Sequence, residues 1–143
     1  MKKIINRKLY DTTTAEKVGS WSNNRSYRDF SWCEEELYRK KTGEFFLHGE
    51  GGPMSPYARS IDSNSWSGDE RIIPMTYEEA RDWAERKLTA DEYEAIFGEV
   101  AEDDSTVDFN ARLSASTIEK LRRAASRTGK SQAQLLTELI DTL

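Results

Sequence analysis

Val107-Asp108-Phe109-Asn110-Ala111-Arg112-Leu113 alternates apolar and polar residues without a break. Successive side chains of a strand point to opposite faces. Val107, Phe109, Ala111 and Leu113 therefore share one face, and Asp108, Asn110 and Arg112 share the other. Ser114 follows at a helix N-cap position, and Ile118, Leu121 and Ala125 fall on one helical stripe. Gly129 ends that helix, and Ser131 caps another. In the second helix Leu135, Leu136, Leu139, Ile140 and Leu143 form a wide apolar stripe. Strand, helix, turn and helix are complete within residues 107–143. A unit that small buries too little surface to stand alone. A lone strand also leaves an unsatisfied edge on each side. Antiparallel pairing of two copies removes both defects, so residues 107–113 and the last helix are expected to make a homodimer.

Outward from this unit, Glu99-Val100-Ala101-Glu102-Asp103-Asp104-Ser105-Thr106 reads as an acidic linker at 99–106. Before it, Thr76-Tyr77-Glu78-Glu79 is a capping box, which predicts a helix to about Leu88. Tyr77, Ala80, Trp83, Ala84 and Leu88 lie on its inner stripe. Thr89-Ala90-Asp91 restarts a short helix, with Gly98 as its terminator. Arg71-Ile72-Ile73-Pro74 reads as an edge strand, because Pro74 cannot donate to a ladder. Ile4 to Tyr10 and Lys17 to Trp21 read as the two strands of a hairpin turning at Asp11-Thr12-Thr13-Thr14. A second hairpin is expected around Thr42-Gly43, with Glu44 to His48 as its return and Gly43 at positive φ. Gly49-Glu50-Gly51-Gly52-Pro53 reads as irregular, its three glycines and proline suiting a close backbone approach or a tight loop, and Pro56 to Gly68 reads as a further loop. No Gly-Lys-Ser/Thr follows the glycines, so they do not form a phosphate-binding P-loop. The fold class is therefore α+β: a hairpin-rich domain with two helices over 1–98, the linker, and the unit at 107–143.

Composition bounds the function. The chain has 143 residues, 36% hydrophobic and 33% charged, with four Trp, six Tyr and five Phe. So many aromatics exclude a disordered acidic tail. No apolar run reaches the roughly 18–20 residues that span a bilayer. The first seven residues carry Ile4 and Ile5, where a signal peptide needs an apolar core of about seven or more. A cytoplasmic location without membrane contact is the expectation. Cys33 and His48 are each single, so no zinc motif, metal or cofactor is expected. The net charge of −5 is unevenly spread. Residues 1–41 carry ten Lys/Arg against six Asp/Glu, residues 42–106 five against sixteen, and residues 107–143 six against four. A solvated acidic face between ordinary domains explains this. So does a basic nucleic-acid surface beside an acidic patch that meets a basic partner.

The cationic positions of the first hairpin are Lys2, Lys3, Arg7, Lys8 and Lys17; Arg39, Lys40 and Lys41 follow. Together they are the candidates for touching an RNA backbone. Tyr10, Trp21 and Tyr38 are candidates for stacking on unpaired bases, although strand aromatics ordinarily belong to a core. Glu34-Glu35-Glu36 reads as a solvated charge run. His48 is a weak candidate for a general base in RNA cleavage, with Arg39, Lys40 and Lys41 holding phosphates. A single His beside a hairpin is ordinarily structural. No other catalytic constellation is present.

Two resemblances add to this reading. Asp108-Phe109-Asn110-Ala111-Arg112, followed by Arg127-Thr128-Gly129-Lys130-Ser131, resembles the ribbon-helix-helix family of small dimeric repressors. The resemblance implies that Asp108, Asn110 and Arg112 face the major groove of DNA as a two-stranded ribbon. Asn110 would read adenine and Arg112 guanine. It also implies a phosphate grip by the backbone at Ser131 and Gln132. Asp108 departs from the family, which has a neutral or basic residue there; its carboxylate accepts from cytosine but repels phosphate.

The second resemblance spans about residues 3–100. Ile5-Asn6-Arg7-Lys8-Leu9-Tyr10-Asp11-Thr12, Leu37 to Gly52, and Ile73-Pro74-Met75-Thr76-Tyr77-Glu78-Glu79-Ala80 resemble small proteins from plasmids and phages of Gram-positive bacteria. Several of those are type II anti-CRISPR proteins. What this implies is inhibition of Cas9 through its guide RNA or the Cas9–guide complex. A basic hairpin suits an RNA backbone, and acidic residues such as Glu78, Glu79, Asp82 and Glu85 suit the basic channel of Cas9. The alternative is a ribbon-helix-helix transcriptional regulator or antitoxin with a partner-sensing N-terminal domain. A guide-RNA nuclease centred on His48 is a third reading. Promoter DNA is a further expected partner.

Overall fold

The computed structural model describes residues 1–143, which divide into two compact units, Met1–Glu102 and Asp103–Leu143. The fold is α+β, with antiparallel strand pairing and four helices. No helix is long and apolar enough to cross a membrane.

The first unit begins with a tight hairpin, β1 (Lys2–Ile5) and β2 (Lys8–Asp11). Its two-residue turn places Asn6 at φ 50° and Arg7 at φ 64°. This corrects the expected first hairpin: residues 4–10 reverse on themselves rather than running as one strand. Asp11 still turns the chain, accepting from Thr13 N–H at 2.9 Å. The chain then enters β3 (Glu16–Ser22), which pairs with a different strand, β4 (Cys33–Arg39). The second expected hairpin is present. β4 pairs with β5 (Phe45–Gly51), and Gly43 in the connection has φ 90°.

β5 runs through the glycine segment as far as Gly51, so residues 49–51 are strand and not irregular. The physical reason is crowding. A Cβ on Gly49 would overlap the Tyr57 ring, and Cβ atoms on Gly51 and Gly52 would meet the Ser55 side chain and the Phe30 carbonyl. Glycine here admits overlying loops onto a flat strand. The expected loop at Pro56 to Gly68 contains a small exposed hairpin, β6 (Arg59–Asp62) and β7 (Ser65–Ser67). β8 (Asp69–Met75) pairs only with β5, closing the sheet in the order β3-β4-β5-β8 with Pro74 on its edge strand.

One sheet face is covered by α1 (Tyr77–Lys87), followed by α2 (Ala90–Phe97). Both begin with complete capping boxes, Thr76 with Glu79 and Thr89 with Glu92, and Gly98 caps α2 at φ 87°. The inner stripe of α1 places Ala80, Trp83 and Ala84 against Leu37, Phe45 and Leu47. Two alanines bring the helix close enough for the Trp83 ring to fill the centre of this core. The β1–β2 hairpin covers part of the other face, where Tyr10 packs with Tyr38, Phe46 and Ile72. Tyr38 and Phe46 stack at 5.2 Å, and Tyr10 meets Phe46 edge-on at 5.4 Å.

The second unit holds α3 (Ala115–Thr128) and α4 (Gln132–Asp141). Ser114 and Ser131 cap them by accepting from Thr117 and Gln134 N–H, and Gly129 sits in the left-handed region at φ 72°. Residues 107–113 are not a strand within the single chain. No other segment of the chain pairs with them, and an unpaired extended segment has no ladder to define it. No residue of this unit is buried; Phe109 is 87% exposed and Ile140 61%.

Candidate functional site

The sheet register brings polar side chains into rows on the face that the β1–β2 hairpin only partly covers. Lys17, Tyr38, Phe46 and Pro74 form one row, Ser20, Glu36, His48 and Ile72 the next, and Ser22, Glu34, Glu50 and Glu70 the third. Tyr10 covers the first row and packs on Ile72 at the end of the second. The third sets three carboxylates directly opposite one another across β4, β5 and β8. Like charges so placed destabilise a sheet.

His48 sits at the centre of this region. Its Nε2 lies 2.7 Å from Glu70 Oε2, and its Nδ1 lies 3.7 Å from Glu36 Oε2. Glu36 also accepts from the Tyr38 hydroxyl at 2.8 Å and from Lys17 Nζ at 3.3 Å. Burial works to raise the Glu36 carboxyl, but these bonds outweigh it, and Glu36 titrates below the usual carboxylate range. Glu50 moves the other way. Burial pushes its carboxyl up, and the neighbouring Glu34, Glu70 and Glu36 charges add to that against the lowering effect of His48. The result is a half-exposed carboxylate field with one imidazole inside it. It can receive cationic side chains, and it repels phosphate.

The opposite face explains another part of the charge run. Glu35 accepts from the Tyr57 hydroxyl at 2.8 Å and lies 3.8 Å from Lys87 Nζ. Lys87 Nζ in turn sits 3.5 Å from the centre of the Trp21 ring. Strand alternation thus splits Glu34-Glu35-Glu36: Glu35 is half-buried structural ballast, and only its neighbours face the open side. Cys33 shares the face of Glu35, so it cannot join His48 in a metal pair. No three His, Cys, Asp or Glu side chains converge as a metal site.

The cationic candidates separate into two groups. Lys8 and Lys40 both pair with Glu44, at 2.6 and 3.2 Å. Lys17 pairs with Glu36, and Arg39 with Glu16 at 3.2 Å. Lys2, Lys3, Arg7 and Lys41 are exposed and make no ion pair. The free positive charge is therefore concentrated on the β1–β2 hairpin and one adjoining turn residue, rather than on all eight candidates. Arg39 shares a face with Leu37, away from His48, and Lys40 and Lys41 lie beyond the end of β4. The structure does not bring these three to His48, whose ring nitrogens both face carboxylates. The cluster of His48 with Arg39, Lys40 and Lys41 that the cleavage reading expects is therefore not formed.

The stacking candidates take the ordinary core role of strand aromatics. Tyr10 and Tyr38 are buried, and Trp21 is partly buried and covered by Lys87. On α1, Glu79 is engaged in its capping box and Glu78 with Arg81 at 3.3 Å, while Asp82 and Glu85 are exposed without an ion pair. In the second unit, Asn110, Arg112, Ser131 and Gln132 are all exposed. The carboxylate rows are what sequence reading missed. Their signal was the alternation within Cys33–Arg39, which separates Glu34 and Glu36 from Glu35, combined with the matching parity of His48 and Glu50. Comparison of the chain with protein-family models, with curated proteins and with solved structures finds no match.

Proposed function

We propose that the protein is an anti-CRISPR inhibitor of Cas9 that binds the Cas9–guide complex through two surfaces of its first unit. The observation that carries this reading is the charge segregation on that unit. The β1–β2 hairpin offers Lys2, Lys3 and Arg7 with no intramolecular ion pair, while the part of the four-stranded sheet that the hairpin leaves open offers Glu34, Glu36, Glu50 and Glu70. Unpaired cations suit the guide-RNA backbone, and a carboxylate field suits the basic protein channel that holds it. Neither surface alone needs both signs; a ribonucleoprotein target does. The second unit dimerises the protein as a ribbon-helix-helix, in the cytoplasm of the host bacterium.

The test is binding to guide RNA, to Cas9 and to their complex, measured across salt concentrations. The reading predicts the tightest binding to the complex and a log–log salt slope of roughly −0.7 per phosphate contact on single-stranded guide. Replacing Lys2, Lys3 and Arg7 together by Glu should remove the RNA component with an unchanged melt, because exposed charges contribute little to stability. Undiminished binding by that variant would refute the role of the hairpin.

One observation favours a second reading, a DNA-binding regulator or antitoxin. Asn110 and Arg112 are exposed and unpaired on the alternating segment, with Ser131 at the start of α4. That reading predicts specific binding to the promoter DNA of its own operon with the first unit dispensable. Arg112→Ala would then cost about 1–3 kcal/mol on the specific site.

A further inference from the structure

We propose that the two copies of residues 107–113 in the dimer clasp each other by symmetric ion pairs, Asp108 of each copy to Arg112 of the other. The inference rests on the dimeric reading of the second unit and adds its register and the role of its charged face.

Phe109 is 87% exposed, Leu139 62% and Leu143 fully so, and no residue of the unit is buried. A second copy is the occupant that the strand itself specifies. In a closed twofold dimer the same patch meets itself, so if residue i faces residue j, then j faces i. An antiparallel pair of identical strands must also keep Val107, Phe109, Ala111 and Leu113 on one side. A slip of one residue would turn them outward, so only slips that preserve the faces are open.

Three symmetric registers meet this condition with most of the strand paired. Centred on Phe109, the ribbon leaves Arg112 and Leu113 without partners and sets Asp108 against Asn110. Centred on Ala111, it leaves Val107 and Asp108 without partners and sets Arg112 against Asn110. Centred on Asn110, all seven residues pair: Val107 with Leu113, Phe109 with Ala111, Asn110 with its own copy, and Asp108 with Arg112. Only this register uses the whole ladder, and only it places opposite charges directly opposite, where they stabilise a sheet. Symmetry supplies the pair twice.

Nothing in the chain competes for these charges. The ion pairs of the second unit are Arg123 with Glu119 and Lys130 with Glu138; Asp108 and Arg112 make none. A carboxylate at Asp108 then has a physical account. Its carboxylate holds the guanidinium that would otherwise reach for guanine, and it repels phosphate. The outward face of the ribbon is self-complementary, and the unit acts as a dimer clasp rather than as a reader of bases.

The test uses the full chain with two charge reversals, Asp108→Arg and Arg112→Asp, made separately. Dimer affinity and composition are read by sedimentation and native mass spectrometry, with helix content checked by circular dichroism. Each reversal alone sets like charges opposite one another at both ends of the ribbon, so each variant should self-associate about tenfold or more weakly than wild type. An equimolar mixture of the two should form the heterodimer almost exclusively, because every pair is then complementary. The double reversal within one chain should restore wild-type homodimerisation. Statistical mixing with wild-type affinity would overturn the clasp while leaving the dimer intact. A monomeric wild type would overturn the dimeric reading and the clasp with it.

Discussion

Glu50 faces Glu34 on one side and Glu70 on the other, on a strand where burial already pushes its carboxyl up. Nothing in the fold needs a charge there. Glu50→Gln keeps the shape and relieves the cross-strand repulsion, so it should stabilise the first unit by about 0.2–1 kcal/mol. Under the proposed function the same change should weaken inhibition of Cas9, since it removes the centre of the carboxylate row. A chemical melt and a cleavage titration on the same preparation check both; loss of stability together with full inhibition would contradict the assignment.

Tyr38 offers a pH test at the same scale. Burial, and then its hydrogen bond to Glu36, push the phenol from 10.0 up to about 12. A folded-state value above the unfolded one means that the fold favours the protonated phenol. That contribution is whole below about pH 10 and is lost as pH rises toward 12. Tyr57 is pushed the same way by burial and by Glu35. Denaturant midpoints should therefore fall between pH 10 and pH 12, and Tyr38→Phe should flatten part of that fall. A wild-type midpoint that holds steady across this window would place both phenols in water. At Gly49 the expected outcome is simpler. An alanine there collides with the Tyr57 ring, so Gly49→Ala should destabilise by about 1–3 kcal/mol on the scale of an overpacked core.

Among the elements, the β1–β2 hairpin carries the most informative strain. A two-residue turn with positive φ at both centres favours Asn followed by Gly. Here the second residue is Arg7 at φ 64°, in a region that costs a residue with a Cβ roughly 1–2 kcal/mol. Arg7→Gly should therefore stabilise the hairpin by about 1 kcal/mol while weakening guide-dependent binding. A variant that is more stable and equally inhibitory would remove Arg7 from the interface.

The same turn shows how far the sequence is legible. Thr76-Tyr77-Glu78-Glu79 declares α1 because all the partners of a capping box lie within one turn of chain. Gly43 declares the β4–β5 turn because that turn needs positive φ. Asn6-Arg7 hides its turn, since an Arg in the left-handed region leaves no mark in composition. Gly49 and Gly51 announce a close approach, which Tyr57 and Ser55 make from a loop that folds over them, but not that they lie in a strand. The opposing carboxylates depend on register across three strands, which no local pattern states. The candidate site was thus half legible: its cations stand in the sequence, and their ion pairs with Glu44, Glu36 and Glu16 do not.

At the scale of the molecule, the two units differ in what holds them together. The first has two buried clusters built around Trp83 and Phe46; the second buries nothing by itself. If the proposed function and the proposed dimer hold, truncation after Glu102 should leave a folded monomer that inhibits Cas9 only at higher concentration, because a dimer gains potency by engaging two targets or two sites. Light scattering and an inhibition titration check this, and equal potency would show that dimerisation adds nothing to inhibition. DNA cleavage by purified Cas9 and guide RNA at rising concentrations of the 143-residue protein, with the guide followed on a denaturing gel, puts the proposed inhibition to the test. Cleavage should fall as the protein is added while the guide stays full length. Undiminished cleavage at a large molar excess would contradict it.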